Sequence, residues 1–205
     1  MTTPRDLLII TMDMPTTRPV ERGDLSLALA GAELVDLLRA GAVRVEGEHL
    51  LADDTARPIA DRLLDEAASS VPHRAPFESV AEFLWRRGRG LSAAYLAAFD
   101  EEGQLTRPGR RRWGLFRTHE RVLLDSPDRR RAANRWAAEE PVLTALATDI
   151  GVRDKRTEES PEVADEVVAD VLASVTEALA ELAEERQRRA RKLDDAAVTN
   201  YRRGY

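Results

Sequence analysis

The 205-residue sequence contains no cysteine. Disulfides and thiolate metal sites are therefore excluded, and a reducing cytoplasm is compatible with the chain. Aromatic residues are scarce, at 5%, so leucine, valine and alanine must fill most of the core. That composition favours helices over a β-sandwich, because Ala and Leu propagate helix while β-branched and aromatic residues favour sheets. No apolar run approaches the roughly 18 residues that a spanning helix needs, so the chain can sit on a membrane but is not expected to cross it. The N-terminus shows no signal peptide: the apolar run 7–10 is short and is flanked by Asp6 and Asp13. His49, His73 and His119 are scattered without metal-ligand spacing. Nucleophile elbows, phosphate-binding loops and dinucleotide fingerprints are missing too. The expectation is a protein that is not an enzyme and carries no metal or cofactor.

What is present points in a different direction. Hydrophobic residues make up 43% of the chain, enough for a core in one domain spanning 1–205. Net charge is −6, so bulk charge attracts neither nucleic acid nor anionic lipid, and any such binding needs a local basic patch. Arginine supplies 29 of the 31 basic residues, with lysine only at Lys155 and Lys192. Together with abundant alanine, that bias reads as a GC-rich, bacterial source.

Hydrophobic spacing predicts a mainly α fold: a helical bundle core surrounded by shorter helices, with one or two β-hairpins. Residues 7–12 are apolar without a period that separates helix from strand. Asp24 reads as an N-cap, followed by Leu25, Leu29, Leu34, Leu37 and Leu38 at helical spacing up to Gly41. A short hairpin then covers 42–51. Further helices are expected over 58–68, 77–85, 91–99 and 127–150, the last interrupted by Pro141. A second hairpin should follow Gly103. After a charged linker at 151–161 comes the clearest helix, with Val163, Val167, Val171, Val175, Leu179 and Leu182 at spacings of three and four. Residues 186–205 read as a polar tail that frays.

The sharpest local feature lies at 107–121, where six arginines face one acid, Glu120, giving +5 in a chain of −6. Arg110, Arg111, Arg112 and Arg117 surround Trp113, Leu115 and Phe116. At a membrane the combination makes sense: the aromatic rings partition into the interface and each arginine gains roughly 1 kcal/mol from anionic lipid. The alternative is that the three apolar side chains fold onto the core and the arginines form a solvated face. A second basic knot, Arg86, Arg87 and Arg89, can hold a phosphate or simply offset a helix C-terminus. Arg129, Arg130 and Arg131 read as a solvated face. Acidic pairs such as Asp53-Asp54 and Asp65-Glu66 read as caps and solvated charge.

The ordered set Leu29-Ala30-Gly31-Ala32-Glu33-Leu34-Val35-Asp36-Leu37, Gly41-Ala42-Val43, Leu63-Leu64-Asp65-Glu66-Ala67 and Gly103-Gln104-Leu105 resembles the Golgi phosphoprotein 3 family. The resemblance covers about 7–150 and is looser beyond. It implies a mainly helical fold with a helical bundle at its centre and, in the eukaryotic members, binding to phosphatidylinositol 4-phosphate. In eukaryotic members it implies a Golgi membrane location and recruitment of glycosyltransferase tails. It also implies a hairpin, here 107–124, that inserts into the bilayer or pairs subunits. The family's headgroup Trp and Arg fall on Glu21 and Ala30, and its later Arg pair on Arg89 and Ser92. The expected partner is an anionic membrane lipid, with a homo-oligomer through the hairpin as a further option and client proteins unknown. The expected location is cytoplasmic and peripherally membrane-associated. A winged-helix nucleic-acid binder is the competing reading, suggested by two helix-to-hairpin units. No nucleic acid is expected, because the helix after Asp24 carries only Arg39 against Asp24, Glu33 and Asp36.

Overall fold

The computed structural model describes residues 2–16, 18–106, 122–153 and 163–203, and the side chains of these up to 195. In chain order the elements are α1 (Thr3–Asp13), α2 (Arg22–Arg39), β1 (Val43–Glu46), β2 (His49–Ala52), α3 (Arg62–Ser69), β3 (Glu78–Ser79), α4 (Val80–Arg87), α5 (Leu91–Glu101), β4 (Leu105–Thr106), β5 (Val122–Leu123), α6 (Pro127–Ala137), α7 (Pro141–Asp149) and α8 (Glu166–Arg203). The architecture is mainly helical with two small antiparallel sheets, as composition and spacing indicate.

α2 is the axis of the bundle. It packs against α1, α4, α5, α7 and α8, and residues 25–35 are buried without a break. An all-round buried helix needs small residues where neighbours cross. Ala28, Ala30, Gly31 and Ala32 serve that purpose. At Gly31 a Cβ would stand 2.3 Å from a Val175 methyl of α8, so the two backbones approach as only glycine allows. With α3 and β1 also packed on it, the middle of α2 has no open face.

α1 shows why residues 7–12 had no readable period. Leu7, Leu8, Ile9 and Ile10 are all within 1% of full burial, because α2, α6 and α7 cover the helix on several sides. Pro4 starts the helix in its first turn, where its missing N–H costs nothing.

Several boundaries differ from the sequence reading. α3 begins at Arg62 rather than near 58, because Asp61 caps it by accepting from the Leu63 and Leu64 amides, each at 3.1 Å. Phe77 precedes a strand, not a helix. β3 pairs with β2, with Leu50 opposite Glu78 and His49 opposite Ser79, so the first hairpin is a three-stranded sheet of order β1-β2-β3. Ser79 then starts α4 through a capping box with Glu82. α8 runs through the expected polar tail to Arg203.

Candidate functional site

Two strands form the base of the basic segment. Leu105 pairs with Leu123 and Thr106 with Val122, antiparallel. Leu105 and Leu123 point into the core, while Val122 and Leu124 are about half exposed. The pairing is locked from several sides. Gly103, at φ +68°, turns the chain out of α5, and the Gln104 amide donates to the Phe99 carbonyl at 2.8 Å. The Leu124 amide donates back to the Gln104 carbonyl at 2.9 Å. Arg129 donates to the Leu123 carbonyl at 3.2 Å and forks onto Asp13 at 2.7 and 2.8 Å. Arg129 thus ties the stem to α1, which corrects its reading as part of a solvated face; Arg130 does pair at the surface, with Asp125. Residues Arg110, Arg111, Arg112, Trp113, Leu115, Phe116 and Arg117 lie outside the described residues.

The second knot, at the end of α4, divides into three environments. Arg86 forks onto Glu78 at 2.9 and 2.6 Å, donates to the Ser70 hydroxyl at 3.2 Å, and lies over the Phe83 ring. Arg87 turns inward. It donates to both oxygens of Glu33, at 2.7 and 2.9 Å, and to the Leu63 carbonyl at 2.7 Å. Glu33 is fully buried and also accepts from the Tyr95 hydroxyl at 2.9 Å. Burial pushes the Glu33 carboxyl and the Tyr95 phenol up from their ordinary values. Arg89 stands exposed at the surface, beside the left-handed Gly90.

The positions that the family resemblance assigns to a headgroup scatter. Ala30 is fully buried in α2. Ser92 is also buried, and its hydroxyl and amide meet the Ser26 hydroxyl at 2.9 and 3.1 Å. Ser26 thereby caps α5, whose own N-cap, Gly90, has no side chain to offer. Glu21 and Arg89 are exposed.

Two acidic residues, the buried Asp6 and the half-buried Asp36, went unnoticed in the sequence as partnered groups. Asp6 pairs with Arg135, and Asp36 accepts from the amide and hydroxyl of Thr3, both at 2.6 Å. Burial raises both carboxyls from their ordinary values. For Asp36, as for Glu33, the signal was legible: the two interrupt an otherwise apolar run, a pattern that demands partners inside the fold. Among the described residues no group of His, Asp and Glu is placed to hold a metal ion, and no described helix is long and apolar enough to cross a membrane.

The family model for Golgi phosphoprotein 3 (GPP34) matches residues 4–199, nearly the whole chain. The chain belongs to the Golgi phosphoprotein 3 family. The match extends into α8, beyond the stretch that the ordered motifs covered. No curated protein matches the chain.

Proposed function

We propose that this member of the Golgi phosphoprotein 3 family is a non-enzymatic, peripheral membrane protein. In this reading it binds anionic phospholipid through residues 107–121 at the cytoplasmic face of a membrane. The observation that carries the reading is the β4–β5 stem. It holds Thr106 and Val122 side by side at the surface, so the +5 segment leaves and re-enters the body at one place. Six arginines then act together near one surface, each gaining roughly 1 kcal/mol from anionic lipid, while Trp113, Leu115 and Phe116 supply the apolar anchor.

Family membership supports a phosphatidylinositol 4-phosphate-type headgroup as the ligand. Of the knot residues, Glu78 holds Arg86 and Glu33 holds Arg87, while Arg89 is exposed and has no side-chain partner among the described residues. The preference here is therefore for anionic lipid in general, with Arg89 as an accessory contact.

Co-sedimentation of the full chain with phosphatidylcholine vesicles, with and without phosphatidylserine or phosphatidylinositol 4-phosphate, tests this. Binding should require the anionic lipid, weaken with salt, and be lost on replacing Trp113, Leu115 and Phe116 by serine. Absence of binding at low salt, or binding indifferent to those replacements, rejects the reading.

A further inference from the structure

We draw no further inference here: the strongest candidate, the groove of about 560 Å³ between the β1–β2 turn, the start of α4 and the first half of α8, is lined by Val45, Val80, Val167, Asp170, Val171 and Glu177 among others, and nothing in the structure shows what covers it.

Discussion

Arg86 and Arg87 are neighbours with opposite energetic standing. The Arg86 side chain is 43% exposed, so water screens its pair with Glu78. Arg86→Ala should cost less than about 1 kcal/mol. Arg87 is held in the interior by a carboxylate that no water reaches. Arg87→Ala strands the Glu33 charge in the core and should cost about 3–5 kcal/mol, read from urea denaturation midpoints. The inward partnership could not be seen in the sequence, because Glu33 lies 54 positions before Arg87. A consecutive run of arginines reads as a patch until the fold shows where each one goes. Asp36 carries a pH signature of its own. Burial raises its carboxyl above the ordinary 3.8 even as Thr3 pulls the other way. A raised native value means that the folded state binds the proton more tightly. Its contribution is therefore fully present below about pH 3.8 and is lost as pH climbs through the native value. The stability gap between wild type and Asp36→Asn, measured by urea melts from acid to neutral pH, should shrink in that direction. A gap that widens with pH would reverse the assignment.

The crossing of α2 and α8 depends on a missing methyl. Gly31→Ala gains about 1 kcal/mol of intrinsic helix propensity. The new Cβ, however, meets a methyl of the fully buried Val175, and overpacking costs about 1–3 kcal/mol. The net change should be a lowered thermal midpoint, recovered in large part when Val175→Ala is added. Helices with one solvated face, α5 and the first half of α8, were legible because exposure imprints a period. α1 was not, because burial on several sides erases it. β3 escaped notice for another reason: a two-residue strand has no period, and its existence depends on β2 standing alongside. The polar second half of α8 read as a tail because no core-facing stripe marks it, yet Ala, Glu and Arg sustain helix by propensity alone.

Across the whole molecule, charge is segregated. The chain carries −6 and residues 107–121 carry +5, so the remainder carries −11. On the proposed lipid reading, an anionic bilayer would attract one segment and repel the rest, which would orient an approaching molecule before contact. Vesicle binding should therefore fall with salt more steeply than burial of three apolar side chains alone would give, because screening removes the attraction within about 10 Å at 0.1 M. The family and the helical architecture were readable from ordered local motifs. The candidate site was readable only as composition. That Ala30 and Ser92 are buried, and so withdrawn from any headgroup, depends on helix packing that no local pattern records.

The β4–β5 stem also makes residues 107–121 a cassette. Opposed strand partners stand about 5 Å apart, a span that a two-residue turn closes as readily as a long insertion. Lengthening a closed loop adds only about 0.6 kcal/mol per doubling. With Leu105, Leu123 and Arg129 fixing the base, descendants of this chain can rewrite, lengthen or delete the segment without renegotiating the bundle. Affinity for a surface can thus evolve independently of the fold that displays it.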